Sequence, residues 1–287
     1  MPYYSPLRYP GGKNRLSDYI AKTCKINDIS GCYIEPYAGG AAVALFLLIE
    51  GFVDEAIIND IDRSIFAFWY SVLNRNEDFC DLIEKTEVDV KNWKKQKEIQ
   101  DNKEKADLFE LGFSTFFLNR TNRSGIISGG IIGGKDQESK YKIDCRFNKE
   151  NLIKRIKKIG HYSGKINLFN KDAYKLIKDL QNGKISPKKS LFYLDPPYYE
   201  KGSSLYTNYY KHKDHKRIRD SMKSMDNYYW IISYDNKSEI RELYQDFKSL
   251  EYSLNHSAHS AKKGKEILFY NNILKIPEEK NVTDIKI

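Results

Sequence analysis

Cysteine and long apolar runs are what this sequence has least of. Its four cysteines have the spacing of neither a metal site nor a disulfide framework, which excludes a disulfide-stabilised secreted module and predicts a reducing compartment. The longest apolar stretch, Ala41 to Ile49, is too short to cross a membrane, and the first residues show no signal-peptide pattern. We therefore expect a soluble cytoplasmic protein with no membrane partner.

A dinucleotide fingerprint is also missing. No G-x-G-x-x-G sequence occurs, so a dinucleotide cofactor is not specifically indicated. Positive charge is present in excess, because 48 Lys and Arg residues against 39 Asp and Glu residues give a formal net charge of +9. Such a balance suggests a polyanionic partner. With 287 residues, of which 40% are hydrophobic, the chain can form one large α/β domain with an insertion or two modest domains.

The most informative motif is Asp195-Pro196-Pro197-Tyr198, which follows an apolar run that predicts a buried strand. Ligands bind at strand ends in open α/β sheets. The two prolines stop the strand and leave the Pro196 carbonyl outside any β ladder. A carboxylate and a carbonyl can together accept both hydrogens of an exocyclic amine on a nucleobase. Tyr198 can stack on the same nucleobase. The alternative interpretation is a strand terminator with an aromatic plug.

The first part of the chain follows the pattern strand, glycine loop, helix, strand, acid. Its segments are the strand 32–35, the pair Gly39-Gly40, the helix 41–50 and the strand 56–59. Asp60 then follows the second strand, where an acid can hydrogen-bond ribose hydroxyls, and Asp62 can cap the next helix. The pattern predicts a nucleoside-binding half sheet.

Composition divides the chain into three parts. Residues 1–73 carry the glycine loop and the acid, residues 74–164 form a helical and loop-rich insertion, and residues 165–287 carry the Asp195 motif and the C-terminal strands. Strands that alternate with helices predict a mostly parallel sheet. We therefore expect an α/β fold of Rossmann-like type.

Five fragments of the sequence, taken in order, resemble the Dam-like family of S-adenosylmethionine-dependent DNA adenine methyltransferases. They are Leu7 to Lys13, Glu35 to Gly40, Asn59 to Asp62, Leu118 to Thr121 and Asp195 to Tyr198. Each fragment is weakly specific alone, but together they span almost the whole chain in the family's order. The resemblance implies a methyltransferase sheet, S-adenosyl-L-methionine as cofactor, and a target-recognition region at 74–164.

The resemblance also implies which residues bind the cofactor. Lys13 would neutralise its methionine carboxylate, with Tyr9 packed nearby, and Asp60 would hold its ribose. Asp172 matches the position that contacts the cofactor adenine, although capping of the following helix suits it nearly as well. The complete predicted set is Tyr9, Gly12, Lys13, Glu35, Pro36, Tyr37, Gly39, Asp60, Asp172 and Asp195.

Catalysis is assigned to Asp195, Pro196, Pro197 and Tyr198. The sulfonium of the cofactor makes its methyl group electrophilic, so the protein mainly has to align the amine with the methyl group and exclude water. Asp195 and the Pro196 carbonyl would orient the amine of a base that has left the duplex stack. The mechanism requires neither a covalent intermediate nor a metal.

Contacts to double-stranded DNA are expected from the insertion and from the segment after the catalytic strand. Arginine can pair with guanine or clamp a phosphate, and for any single basic residue a solvated surface position is the alternative. The predicted contacts are Arg120, Asn122, Arg123, Lys135, Arg146, Lys201, Tyr206 and Lys211. His256 and His259 lack a carboxylate or cysteine at useful spacing, so a loop near the DNA is expected there and not a metal site.

Three functions remain open at this point. The first is methylation of adenine in DNA, the second is the same chemistry on the cytosine amine in DNA or on adenine in RNA, and the third is a catalytically silent nucleic-acid-binding protein. We expect a monomer. The sequence leaves open whether a cognate restriction nuclease accompanies the protein.

Overall fold

The protein is an α/β structure built on one sheet. The computed structural model describes residues 2–9, 13–183, 186–199, 210–254 and 264–278. Gly12, Lys201, Tyr206, His256 and His259 lie outside the described residues. The seven strands of the described sheet are β1 (Cys32–Glu35), β2 (Glu55–Asn59), β3 (Ile166–Phe169), β4 (Ser190–Leu194), β5 (Tyr229–Asp235), β6 (Lys248–Leu254) and β7 (Gly264–Tyr270).

The strand order is β3-β2-β1-β4-β5-β7-β6. Strands β1 to β5 pair in parallel, whereas β7 is antiparallel to both β5 and β6. The prediction of a mostly parallel, Rossmann-like α/β sheet is confirmed. The chain builds outward from β1 to β3 on one side and then returns to place β4 on the other side of β1. The boundary between β1 and β4 is therefore the topological switch point, where such sheets bind ligands.

Helices cover the sheet on both faces. The described helices are α1 (Ser17–Ile26), α2 (Ala42–Ile49), α3 (Arg63–Asn74), α4 (Asn76–Lys85), α5 (Val90–Asp101), α6 (Leu108–Thr121), α7 (Lys149–Gly160), α8 (Ala173–Gln181), α9 (His212–Lys223) and α10 (Ser238–Leu243). Within the described residues, no helix combines the length and the apolar composition that crossing a membrane requires.

Alternate residues of β4 enter two different cores, as the two-residue period of a strand requires. Leu191 and Tyr193 pack into a core shared with α1, α2, α3, α6 and α7, and Phe192 and Leu194 pack into one shared with α8, α9 and α10. All five residues of β4 are buried. This explains why β4 is a continuous apolar run in the sequence, since a central parallel strand is covered on both faces.

Residues 74–164, the region predicted to be an insertion, are anchored by aromatic rings to the core that includes α1, α2 and α3. The Phe68 ring of α3 stacks on the Phe116 ring of α6, with centroids 6.1 Å apart and an interplanar angle of 9°. Phe79 and Phe147 contact the same Phe116 ring edge-on, at 5.6 and 5.3 Å. Aromatic pairs of this kind add to the stabilisation from buried area. The insertion is thus a helical layer that continues the core.

Candidate active site

A cavity of about 160 Å³ opens at the carboxyl ends of β1, β2 and β4, beside the switch point. It is lined by side chains from the N-terminal segment, from the loop after β1, from the end of β2 and from the end of β4. The lining includes Tyr9, Lys13, Glu35, Tyr37, Asp60, Asp195 and Pro197. The structure therefore brings residues from four of the five sequence fragments to one place.

The loop between β1 and α2 forms one wall of the cavity through an unusual backbone. Gly39 has φ +46°, and a Cβ there would lie 2.6 Å from ring atoms of Tyr9. Ala41 is also left-handed, with φ 46° and ψ 34°, a conformation that is uncommon for a residue with a side chain and that clusters at functional sites. The Trp69 indole N–H donates to the Gly39 carbonyl at 2.9 Å. The loop is therefore held close against Tyr9.

Asp60 connects this loop to the end of β2. Its Oδ2 accepts from the Gly39 N–H at 3.0 Å and its Oδ1 accepts from the Asp62 N–H at 2.9 Å. Burial raises the pKa of Asp60 to about 7, although the backbone N–H donors work in the opposite direction. Asp62 caps α3 as predicted, because its side chain accepts from the Ser64 N–H at 2.8 Å.

Asn59 fixes the neighbouring strand ends, a role that the sequence did not indicate. Its side chain is fully buried. The amide nitrogen donates to the carbonyls of Pro36 and Lys171 at 2.8 and 3.0 Å, and the amide oxygen accepts from the Lys171 N–H at 2.9 Å. One side chain therefore ties the segments after β1 and β3 to β2.

Glu35 and Tyr37 occupy the β1 side of the cavity. Glu35 is 5% exposed, and burial raises its pKa to about 8, with the Asp195 charge acting in the same direction. The Tyr37 hydroxyl lies 2.9 Å from the Tyr210 hydroxyl, which links this wall to the segment before α9.

Asp195 lies at the end of β4, on the opposite side of the switch point. Its Oδ1 accepts from the Ser233 hydroxyl of β5 at 2.8 Å and lies 3.4 Å from the Lys13 Nζ. Burial raises the pKa of Asp195 to about 6; the Lys13 ammonium lowers it, and the charge of Glu266 raises it further. Both contacts fall on the Oδ1 side of the carboxylate.

Lys13 belongs to a group of buried and partly buried side chains that we call the strand-end cluster: Lys13, Asp195, Tyr198, Tyr252 and Glu266. The Lys13 Nζ donates to Glu266 Oε2 at 2.7 Å and to the Tyr198 hydroxyl at 2.8 Å. The Tyr198 hydroxyl donates to Glu266 Oε1 at 2.5 Å, and the Tyr252 hydroxyl donates to Glu266 Oε2 at 2.5 Å. In this structure the Lys13 ammonium is therefore engaged by protein groups, and its predicted contact to the cofactor carboxylate would replace one of them.

Asp172 occupies a capping position. Its side chain accepts from the Lys175 N–H at 3.1 Å at the start of α8, and Arg217 of α9 lies 3.6 Å from it. Helix capping is the alternative role that the sequence suggested for Asp172, next to a contact with the cofactor adenine.

The residues predicted to contact DNA have different environments. Arg123, Lys135, Arg146 and Lys211 are exposed, as a contact to a partner requires. Asn122 is instead fully buried: its amide nitrogen donates to the carbonyls of Ile126 and Ile127, and its oxygen accepts from the Trp93 indole N–H. The expectation that Asn122 contacts DNA is therefore corrected. Its side chain is buried, and its polar atoms form hydrogen bonds that hold the conformation of the basic loop.

Four arginines gather where the insertion meets the N-terminal segment: Arg8, Arg120, Arg146 and Arg155. Burial, and then the charges of its arginine neighbours, lower the pKa of Arg120 to about 10. The guanidinium groups of Arg8, Arg120 and Arg155 donate to backbone carbonyls, which are those of Asn122, Arg146, Pro6 and Ser5. Within the described residues none of the four forms an ion pair with a carboxylate. Like charges held together in this way favour an anionic partner.

The geometry also shows residues that sequence reasoning missed. Glu266, Ser233 and Asn59 are buried polar side chains that hold the site, and none was assigned a role from the sequence. Glu266 precedes the apolar run of β7, which lies between two other strands. The signal in the sequence that could have identified Glu266 was an acidic residue directly before the apolar residues of a predicted strand. Among the described residues, no group of three or more His, Cys, Asp or Glu side chains is arranged to hold a metal ion.

Comparison with known proteins gave a family match and likenesses to solved structures. The family model described as D12 class N6 adenine-specific DNA methyltransferase matches residues 9–257. No curated protein matched the chain. Among solved structures, the chain is similar to the rRNA methyltransferase aviRa from Streptomyces viridochromogenes at 12% identity and a TM-score of 0.37, over 85% of this chain and 76% of that chain.

The family match covers most of the chain and includes the glycine loop, the insertion and the Asp195 motif. It confirms the resemblance to DNA adenine methyltransferases that the five fragments predicted. The chain belongs to the D12 class of N6 adenine-specific DNA methyltransferases.

Proposed function

We propose that this adenine-specific DNA methyltransferase takes its methyl group from S-adenosylmethionine and transfers it to an adenine that has been flipped out of duplex DNA. The observation that carries the proposal is the position of Asp195 at the switch point, facing the same cavity as Asp60 and Glu35. This position supports the proposal, because the residue assigned to the adenine amine and the residues assigned to S-adenosylmethionine lie on opposite sides of one opening.

The β1 and β2 side of the cavity is assigned to S-adenosylmethionine. Asp60 accepts ribose hydroxyls, and the left-handed loop around Gly39 and Ala41 allows close approach of the donor to the backbone. Tyr9 and Tyr37 supply aromatic surface in the same lining. The donor supplies an electrophilic methyl group when it is bound.

The β4 side is assigned to the target base. Asp195 Oδ1 is occupied by Ser233 and faces Lys13, so Oδ2 is the oxygen that accepts from the adenine amine. The Pro196 carbonyl is the second acceptor. Together they orient the nitrogen lone pair toward the methyl carbon, which is a contribution of alignment. As the C–N bond forms, the bond between the methyl group and the donor sulfur would break with its electron pair kept by sulfur, and the amine proton would pass to the Asp195 carboxylate or to water.

Tyr198 is assigned as the surface on which the target base stacks, and hydrogen bonds of its hydroxyl fix the orientation of the ring. Its hydroxyl is held by Glu266 and Lys13, and the side chain is 8% exposed. A ring that is anchored through its hydroxyl loses little freedom when a base packs on it.

DNA is assigned to the arginine-rich side of the insertion. The exposed Arg123, Lys135 and Arg146 and the neighbouring Arg8 and Arg155 provide positive charge without paired carboxylates among the described residues. Such a surface binds phosphates with an affinity that falls as salt rises. Lys211, which is exposed at the start of α9, is assigned to DNA as a separate contact.

The experiment that tests the proposal is product identification. Unmethylated duplex DNA is incubated with the purified protein and S-adenosylmethionine, digested to nucleosides and examined by mass spectrometry, with a structured RNA in parallel. We expect N6-methyladenine in DNA only. Methylcytosine in DNA or methylated RNA would replace the proposed substrate, and the absence of any methylated nucleoside would contradict the proposal.

A further inference from the structure

Glu266 joins three separate segments of the chain at one buried carboxylate. It contacts Lys13 from the N-terminal segment, Tyr198 from the loop after β4 and Tyr252 from β6, at 2.7, 2.5 and 2.5 Å. The residue is 2% exposed, and it lies behind the cavity lining, which includes Lys13 and Asp195. Glu266 therefore contacts Lys13 and Tyr198 from the interior of the protein, on the side away from the cavity.

Fold stability does not explain this arrangement. Removing an ammonium and two carboxylates from water costs several kcal/mol for each ion, and apolar replacements of buried ion pairs are often neutral or stabilising. The next residues of β7, Ile267 to Phe269, are core residues of ordinary apolar type. A buried cluster of charges beside a ligand cavity is instead a feature of functional sites.

Lys13 is shared between two carboxylates of unequal accessibility. Its Nζ lies 2.7 Å from Glu266 and 3.4 Å from Asp195, and the side chain of Asp195 is 22% exposed against 2% for Glu266. The shorter contact to the more deeply buried carboxylate holds the ammonium in place. The longer contact leaves Asp195 able to accept from another donor.

We propose that Glu266 is a positioning residue for methyl transfer, which fixes Lys13 beside Asp195 and fixes the Tyr198 ring through its hydroxyl. The inference rests on the proposed function, since it requires Asp195 to receive the amine. Glu266 acts through Lys13 and Tyr198 and touches neither base nor donor.

Loss of the Glu266 charge has two separable consequences. Tyr198 and Lys13 lose their common acceptor, so the rate of methyl transfer falls by about 10- to 100-fold, the size expected for misplacement of reacting groups. In addition, Lys13 interacts with Asp195 alone, and the repulsion from Glu266 is gone. Protonation of Asp195 then occurs at lower pH, so the acid limb of the pH-rate profile moves to lower pH.

The test compares Glu266→Gln with wild type in single-turnover assays at saturating DNA and S-adenosylmethionine, between pH 5 and 8. Glu251→Gln is the matched control, because Glu251 is an exposed carboxylate on the adjacent strand β6, where it contacts Arg241 and Asn236. We expect a reduced rate and a shifted acid limb for Glu266→Gln, a DNA affinity within about threefold of wild type, and a wild-type profile for Glu251→Gln.

A second variant keeps the inference open to refutation if Glu266→Gln does not fold. Tyr198→Phe retains the Glu266 to Lys13 ion pair and removes only the anchored hydroxyl. It should lower the rate and leave the acid limb at the wild-type pH. In a double-mutant cycle, Glu266→Gln should cost less in the Tyr198→Phe background, because part of its effect is already lost.

The outcomes distinguish this inference from the proposed function. An active wild type with a Glu266→Gln variant of equal rate and unchanged acid limb overturns the inference alone, as does a wild-type rate for Tyr198→Phe. A wild type that methylates no DNA overturns the proposed function and removes the inference with it.

Discussion

The strand-end cluster and the insertion place their charges in opposite ways. In the cluster, Lys13 and Glu266 are 5% and 2% exposed, and each contacts several partners within the protein. In the insertion, buried phenylalanines form the interior, and basic residues such as Arg123 and Arg146 are exposed. The strand-end cluster therefore carries its charges mainly in the protein interior, and the insertion carries many of its charges on the surface.

The difference corresponds to two physical tasks. Buried charges are little screened by salt and respond to protonation, so they can fix the position and ionisation state of a reacting group. Exposed cations respond to salt and can bind a polyanion without ordering a pocket. We infer that alignment is the task of the cluster and that duplex binding is the task of the insertion.

The largest expected effect is the loss of methyl transfer in Asp195→Ala. The substitution removes the carboxylate acceptor of the amine and should lower the single-turnover rate by on the order of 10³-fold or more, comparable to the loss of a transition-state hydrogen-bond donor. DNA affinity, measured by fluorescence anisotropy, should stay within about threefold, because the insertion is untouched. Near wild-type activity would show that another group receives the amine.

The next effect is a loss of stability, and its pH dependence should differ between the strand-end cluster and the insertion. Lys13→Met leaves the buried Glu266 and the partly buried Asp195 without their cation, which should lower the free energy of unfolding by about 3–5 kcal/mol at pH 8. In this variant the pKa values of both carboxyls are higher in the folded than in the unfolded state. The deficit is therefore full at high pH and shrinks as the pH falls toward 5, where the folded protein takes up protons.

Phe116→Ala is the control for that measurement. It removes a buried ring of the insertion and should cost a similar amount, about 3–5 kcal/mol, through a cavity. No titrating group is involved, so its deficit should be the same at pH 5 and pH 8. Chemical denaturation of both variants at the two pH values makes the comparison. Equal pH dependence in the two variants would contradict the attribution of the pH-dependent deficit to the charges of the strand-end cluster.

The smallest effect is expected from Arg123→Ala. Removal of one exposed phosphate contact should weaken DNA binding a few-fold for all sequences and lower the slope of log affinity against log salt by about 1. Lys85→Ala is a suitable control, since Lys85 is an exposed lysine paired with Asp81 on α4. A change in the methyl-transfer rate at saturating DNA would show that Arg123 also acts on the chemistry.

Much of the fold could be predicted because its signals are local. The buried run of β4, the Gly39 turn and the Asp62 cap depend on residues close in sequence, and each is found where it was expected. The class of site followed from the Asp195 motif for the same reason. Strand-end motifs in a parallel sheet meet at one edge whatever lies between them.

The remaining parts depend on contacts distant in sequence. Glu266 lies 253 positions from Lys13 and acquires its role only when β7 inserts between β5 and β6. Asn122 is part of a basic segment, yet its side chain is buried because Trp93 and two carbonyls of the following loop satisfy it. Composition identifies a polar residue, whereas the fold decides whether its polar atoms face inward.

The most direct test of the account is the pH dependence of two quantities in the wild-type protein, the single-turnover rate of methyl transfer and the affinity for DNA. Burial raises the pKa of Asp195 to about 6, and the proposed mechanism uses its ionised form as the stronger acceptor for the amine. We predict that the rate falls about tenfold per pH unit below about pH 6, while DNA affinity at fixed salt stays constant from pH 5 to 8. A rate that is flat across pH 6, or a DNA affinity that follows the same titration, would contradict the separation of the reacting cluster from the binding surface.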